Sequence, residues 1–307
     1  MRIRAESIYV EILIRASMDD VWRFTQTPEL HERWDLRFTN IEYLPRPDDD
    51  QPQRFLYATR IGFGLKIQGE GESVGTRTDP LGQRTSVLKF WSNDPKSLIL
   101  EGTGYWKYTL VDGKIRFVTG YDYQVRFGIL GRIFDTLIFR PLLGWATAWS
   151  FDRLRLWLEK GSDPAISLQR SLTHGLARLT TAFVWLYHGI VPKLIYQDPI
   201  DLSLLLNSGV PAESAPAVLN LVGWAEALYG VFTILLWRTR GLFLVNITLM
   251  LLATMGVVLS SPQYLTAAFN PVTLNVLVVA LSVAGFLSSA DLPSANRCRR
   301  DKIEAQP

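Results

Sequence analysis

Cysteine, histidine and, over more than a third of its length, charge are what this sequence has least of. Its one cysteine, Cys298, excludes an intramolecular disulfide and any CxxC redox or metal pair. Three histidines in 307 residues leave no His pair and no Cys/His spacing suited to a metal. A nucleophile elbow, a phosphate loop and a dinucleotide fingerprint are all absent. With a net charge of +3 and no dense basic stripe, zinc-finger or RNA-reading motif, nucleic acid is not an expected partner. No metal and no cofactor is implied, and nothing supports catalysis. The opening residues run straight into an alternating strand without an apolar signal core, so a cleavable export signal is not expected.

What is present divides near Leu172. Residues 1–162 hold 23 Lys/Arg and 21 Asp/Glu. Residues 174–290 hold only Arg178, Lys193, Arg238 and Arg240 against Asp198, Asp201, Glu213 and Glu226. The rest of that stretch forms four apolar segments near 176–195, 218–237, 241–260 and 271–290, each about the ~20 residues a bilayer-spanning helix needs. A large buried α-domain is the competing reading. Four successive segments with charges only between or near their ends favour a membrane. Lys160 and Arg170 precede the first span and Arg178 lies at its start. Arg238 and Arg240 lie between the second and third, and Arg297, Arg299, Arg300 and Lys302 follow the fourth. The 1–2 loop is acidic and the 3–4 loop uncharged, so the positive-inside rule puts both termini in the cytoplasm, as in a multi-pass protein of a bacterial inner membrane. The expected division is 1–162 as a cytoplasmic domain, 163–172 as linker, 173–291 as membrane domain and 292–307 as a polar cytoplasmic tail.

Polar residues inside the spans need a reason, because hydrocarbon offers them no partner. His188, Lys193, Glu226 and Asn275 all fall in the outer half of their spans. Together they form a candidate polar cluster, either a small ligand or proton-handling site or a set of hydrogen bonds fixing helix register. For Lys193 alone, snorkelling to the interface is the plainer reading. Gly223 and Gly230 share a face with Glu226, so that face should pack against another helix. Ala182-Phe-Val-Trp-Leu-Tyr-His-Gly-Ile-Val-Pro-Lys193, Gly223-Trp-Ala-Glu226 and Asn270-Pro-Val-Thr-Leu-Asn275 occur in that order. In them the second half resembles the DoxX-like family of small four-helix membrane proteins. Some members of that family are linked to quinone or sulfur redox chemistry. The spans here hold no cysteine, which argues against thiol chemistry of their own.

Period-2 alternation dominates residues 6–127, as in Ile8, Val10, Ile12 and Ile14, and again from Phe117 to Phe127. Further strands are predicted at 36–44, 53–61, 65–74, 83–91 and 98–110. Ser17 should cap a short helix and Pro28 open another turn ending near Trp34. A long helical pattern runs from about Leu130 to Lys160, with Pro141 expected to kink or break it. His31 reads as part of an exposed turn. Gly102-Thr-Gly104 inside a strand reads as a bulge or a close backbone approach.

This order, with Ala16-Ser-Met-Asp-Asp-Val-Trp-Arg-Phe24, Glu32-Arg-Trp-Asp35 and Leu154-Arg-Leu-Trp-Leu-Glu159, resembles the START/polyketide-cyclase superfamily (SRPBCC). The resemblance implies a helix-grip fold. The expected fold class is therefore an α+β helix-grip domain, an antiparallel sheet wrapped on a long C-terminal helix, followed by an all-α four-helix transmembrane bundle. It also implies a cavity for lipids, polyketides or other apolar molecules, with Phe55, Tyr57, Phe90, Trp106, Tyr108, Tyr121 and Tyr123 as candidate lining. Plain core is the alternative for each. Cyclases of this superfamily can work with tyrosines and arginines alone, so an enzyme is not excluded.

The expected function is a membrane-anchored protein whose cytoplasmic domain binds a hydrophobic or amphipathic small molecule beside the bilayer. The alternatives are a quinone- or isoprenoid-linked redox or cyclase-type enzyme subunit using Glu226 and His188, and an assembly platform without ligand chemistry. Expected partners are the lipid bilayer, that ligand and, through the bundle, a second copy or another membrane protein.

Overall fold

The alternating run Ile8 to Ile14 buries one face and becomes strand β1 (Ile8–Ile14). In the computed structural model, which describes residues 7–46, 48, 51–62, 64–268 and 270–302, the chain divides into two units. The first comprises residues 1–167 together with 293–307, and the second residues 168–292.

In the first unit β1 joins β2 (Asn40–Tyr43), β3 (Gln53–Gly62), β4 (Leu65–Thr78), β5 (Arg84–Trp91), β6 (Ile99–Val111) and β7 (Lys114–Val125). Every neighbouring pair is antiparallel, in the order β1-β7-β6-β5-β4-β3-β2. Two short helices, α1 (Met18–Gln26) and α2 (Pro28–Trp34), follow β1. Ser17 caps α1 by accepting from the Asp20 amide at 3.0 Å. After β7 come α3 (Gly128–Phe134), a π-helical turn (Asp135–Phe139) and α4 (Arg140–Lys160), which packs on β1. Phe151 of α4 stacks on Phe117 of β7 with ring centroids 4.4 Å apart, and Leu154 and Leu156 are buried beside it. This is the expected helix-grip arrangement, a sheet closed over a long C-terminal helix.

Three local expectations change. The strand foreseen at 36–44 shrinks to β2, because the Arg37 amide donates to the Asp35 carboxylate and the Phe38 amide to the Asp35 carbonyl instead of to a ladder. The alternation through Phe127 ends at Val125, and Phe127 turns the chain into α3 with a left-handed φ of 64°. Pro141 does not break the helix. It lies in the first turn of α4, directly after the wide π turn, where a missing N–H is tolerated.

The segment expected as a polar tail belongs to this unit from Pro293 on. Glu11 and Arg299 exchange two backbone hydrogen bonds of 2.9 Å, which pairs the tail with the open edge of β1. Cys298 is buried, its thiol donating to the Ala148 carbonyl, and burial pushes that thiol up to about 12. Asp152 of α4, fully buried, accepts from Arg155 Nε at 2.6 Å and from the Ser294 amide at 2.8 Å.

The second unit is helical: α5 (Pro164–His188) running into a π-helical turn (Gly189–Ile195), α6 (Pro199–Asn207), α7 (Ala215–Leu235), α8 (Gly241–Ser260), a 3-10 turn (Pro262–Thr266) and α9 (Pro271–Leu287). Among the described residues α7 and α8 are long and apolar enough to cross a membrane, and α9 is apolar but has 17 residues. A Cβ on Gly189 would lie 2.5 Å from the Gly223 carbonyl, so the π turn and α7 meet backbone to backbone at Gly189 and Gly223.

Removing the Asp152 carboxylate leaves the Arg155 guanidinium with Glu159 alone and the Ser294 amide without its acceptor. Asp152→Ala should lower the stability of the first unit by about 3 kcal/mol, the cost of breaking a buried pair. The measurement is a urea titration followed by tryptophan fluorescence, and a midpoint within error of the parent would refute this role.

Candidate functional site

Residues directly opposite one another in an antiparallel sheet project from the same face. The register therefore places Phe55, Gly71, Phe90, Gly102 and Tyr123 in a single row across β3 to β7. Aromatic residues and glycines alternate along it. A Cβ at Gly71 would collide with the Phe55 ring, one at Gly102 with the Phe90 ring and one at Gly69 with the Tyr57 ring. The rings thus lie down on bare backbone, and any larger residue would lift them. Gly102 is a close approach, as its place inside a strand implied. Phe55, Tyr57 and Phe90 are only partly buried, with Phe38 edge-on to Tyr57 at 5.6 Å. Burial pushes the Tyr57 hydroxyl up to about 12. The result is an aromatic floor over β3 to β5.

Other candidates for the same lining are placed differently. Trp106 and Tyr108 belong to the filled end, where Tyr108 stacks on Phe117 at 5.0 Å and its hydroxyl meets Thr25 at 2.7 Å. Tyr121 shares a 2.8 Å hydrogen bond with Thr147 of α4. Tyr123, at the end of the row, donates to Asp135 at 2.7 Å, and Arg140 binds the other oxygen of Asp135 at 2.9 Å while lying 4.3 Å from the Tyr123 ring. The floor is thereby tied to the π turn that carries Asp135. On the opposite face of these strands Arg54 donates to Glu70 at 2.6 Å, its side chain more than half exposed.

Three functional candidates escaped the sequence. His31 is not in an exposed turn: its ring packs against Trp34, Phe38 and Trp106, and its Nε2 lies 3.1 Å from the Asp35 carboxylate. Arg37 grips the same carboxylate with Nε at 2.9 Å and a terminal nitrogen at 2.6 Å, while its guanidinium lies 5.5 Å from the rings of Phe38 and Tyr121. A charged cluster is therefore set into the aromatic interior. The only trace in the sequence was the pair Asp35 and Arg37 directly after a helix end. Burial alone would raise the Asp35 carboxyl, but the Arg37 charge and hydrogen bonds from His31 and Arg37 outweigh it and hold the group well below the usual range.

In the second unit Lys193 does not extend into solvent. The π turn directs its ammonium to Glu226 at 2.9 Å, with Asp201 at 3.8 Å and the His188 carbonyl at 3.4 Å. The His188 ring itself lies against Tyr187, and Asn275 donates to Thr254 of α8 at 3.0 Å. Lys193 and Glu226 are thus brought together, and Asn275 joins a different contact. Asn246, which its position along the third span sets apart from that cluster, is fully buried between Trp185 Nε1 and Ser282, each at 2.6 Å. Arg178, read from the sequence only as a flanking charge, donates to the Thr233 and Thr239 carbonyls at the end of α7, and His174 is held between Ser289 and the Trp237 carbonyl.

The profile described as the DoxX-like family matches residues 182–283. The uncharacterized membrane protein YndG of Bacillus subtilis (strain 168) is 48% identical over 191 residues, covering 61% of this chain and 70% of that protein. This chain belongs to the DoxX-like family. It is a membrane protein, and the DoxX-like match contains Lys193, Glu226 and Asn275. Two solved structures resemble its other half. The STAR-related lipid transfer protein of Xanthomonas axonopodis is 14% identical, covering 49% of this chain and 84% of its own, with a TM-score of 0.36. The di-domain ARO/CYC StfQ from the steffimycin biosynthetic pathway is 16% identical, covering 51% of each chain, with a TM-score of 0.41.

Because Asp35 ionises at lower pH folded than unfolded, its stabilisation is fully present above about pH 4 and is lost as pH falls through the folded value. Asp35→Asn should therefore lower the unfolding temperature at pH 7, and the gap to the parent should narrow steadily below about pH 4. Calorimetry across that range tests this, and a gap independent of pH would contradict it.

Proposed function

We propose that the first unit binds a mostly apolar, amphipathic small molecule, of the lipid, isoprenoid or polyketide class, on the floor formed by Phe55, Tyr57, Phe90 and Tyr123. The observation that carries this reading is the alternation of rings and glycines along one row, with Phe55 and Phe90 only partly buried, on the face that the sheet turns toward α4. Glycines in a strand interior weaken a sheet. A row of them is understandable where flat rings are needed to make a shallow apolar bed. Polar groups at its borders, the Tyr123 hydroxyl with Asp135 and Arg140, and Arg37 beside Tyr121, suit a ligand with one oxygen-bearing end. Such a ligand dissolves in the bilayer to which the chain belongs.

Four membrane crossings, with both chain ends in the cytoplasm, go with this reading. Two facts support them. The residues after α9 pair with β1 and α4 of the first unit, so the chain leaves and re-enters that unit, which requires an even number of crossings. The basic residues cluster in alternate loops. Within the bundle Lys193 and Glu226 satisfy one another's charge, which favours a packing role over proton transfer.

Native mass spectrometry of the full chain released from lipid nanodiscs should detect an apolar adduct. Phe90→Ala should reduce its occupancy with an affinity loss on the order of tenfold, about 1.4 kcal/mol. An adduct-free parent, or occupancy unchanged in the variant, would remove the proposal. For topology, cysteines introduced at Ser208 and Gln263 should react with a membrane-impermeant maleimide added to intact cells, and one at Leu81 should not. The reverse labelling would refute it.

A further inference from the structure

Residues 127–145, from the end of β7 through α3 and the π turn into α4, carry nine exposed large apolar side chains. Leu130, Leu137 and Ile129 are 78, 71 and 68% exposed, and Phe127 and Leu142 more than half. Elsewhere in this unit exposed apolar residues are scattered along the strands and turns, as single ones are on any protein surface. A contiguous patch of this kind marks an interaction site.

The segment is presented rigidly. A Cβ on Gly131 would overlap the Arg126 carbonyl, so the turn into α3 is packed tight. The π turn is fixed from inside, where Asp135 accepts from Tyr123 and Arg140. This also settles the charge of the outward face. Asp135, the segment's one acid, is 2% exposed, Arg140 is half-buried against it, and Arg132 is the ionised side chain that remains exposed. The face is apolar with a single cation.

We propose that residues 127–145 lie in the headgroup–acyl boundary of a lipid bilayer and dock the first unit on the membrane surface. An apolar helical face of low charge, with an arginine at its border and aromatic residues Phe127 and Trp145 at its ends, is the composition of an interfacial segment. The bilayer is the occupant because this is a membrane protein and only residues 161–163 separate α4 from α5, which leads into the DoxX-like region. The unit is held beside lipid by its own chain, and an exposed apolar face meets that lipid first.

The test uses the full chain in nanodiscs of phosphatidylcholine with a fifth phosphatidylglycerol. Single cysteines at Leu130 and Leu137, and a control at Leu81, which is 82% exposed on the β4–β5 turn, are labelled with an environment-sensitive fluorophore. The parent thiol is buried and stays silent. Doxyl lipid labelled near the headgroup should quench the probes at 130 and 137 several-fold more than the one at 81. Trypsin should cut after Arg132 several-fold more slowly in the parent than in the double variant L130E/L137E, whose substituted side chains project into solvent and leave the core intact. Equal quenching at all three positions, or equal cleavage, overturns the proposal. Cross-linking between copies at position 130, without lipid quenching, overturns it in favour of a second copy as occupant. Neither readout needs a ligand on the aromatic floor, so failure here and failure of the binding proposal are separate results.

Discussion

Asp152 is the residue on which the first unit closes. A carboxylate with no exposure to water must be paired, and this one is paired both locally, by Arg155 one turn along its own helix, and from far along the chain, by the backbone of Ser294. Around that anchor the chain end meets β1 at Glu11, buries Cys298 and pairs an amide and a carbonyl on a strand edge that would otherwise be open there. The helical unit is thus an insertion between two segments of one domain.

The sheet shows how far local rules reach. Strands β1 and β3 to β7 were legible because burial on one face imposes a period of two, and the turn residues between them mark the ends. The pattern overran at Phe127, where an aromatic residue in the correct phase serves a helix start instead. It failed at 36–38, where the Leu36 amide goes to the Ser150 hydroxyl, the Arg37 amide to the Asp35 carboxylate and the Phe38 amide to the Asp35 carbonyl instead of to a ladder. The aromatic candidates were visible singly, but the floor was not. Which glycine lies under which ring depends on register between strands up to 16 residues apart, as for Phe55 and Gly71. His31 and Arg37 were hidden for the same reason. A charged residue after a short helix looks like surface until the sheet places Trp106 and Tyr121 around it.

In the DoxX-like unit composition revealed apolar helices and small residues at their contacts, as Gly189 and Gly223 show. It did not reveal which polar residues are partners. Arg178 looked like a flanking positive charge but closes the carbonyl end of α7. Lys193 looked like a snorkelling lysine, but the extra residue of the π turn redirects it toward Glu226. In both cases the deciding geometry is a helix end or a helix irregularity, and neither has a dependable signature in a single sequence.

The returning C-terminal segment also sets an order of events during synthesis. Residues up to 160 leave the ribosome first and can form the sheet and α4, yet Asp152 then lacks its Ser294 partner and β1 keeps an uncovered edge. Both are supplied only after the last hydrophobic helix has been made. The domain synthesised first is completed last, so a chain that stalls partway through its membrane helices carries an unfinished, solvent-accessible edge for the cell's quality control to find.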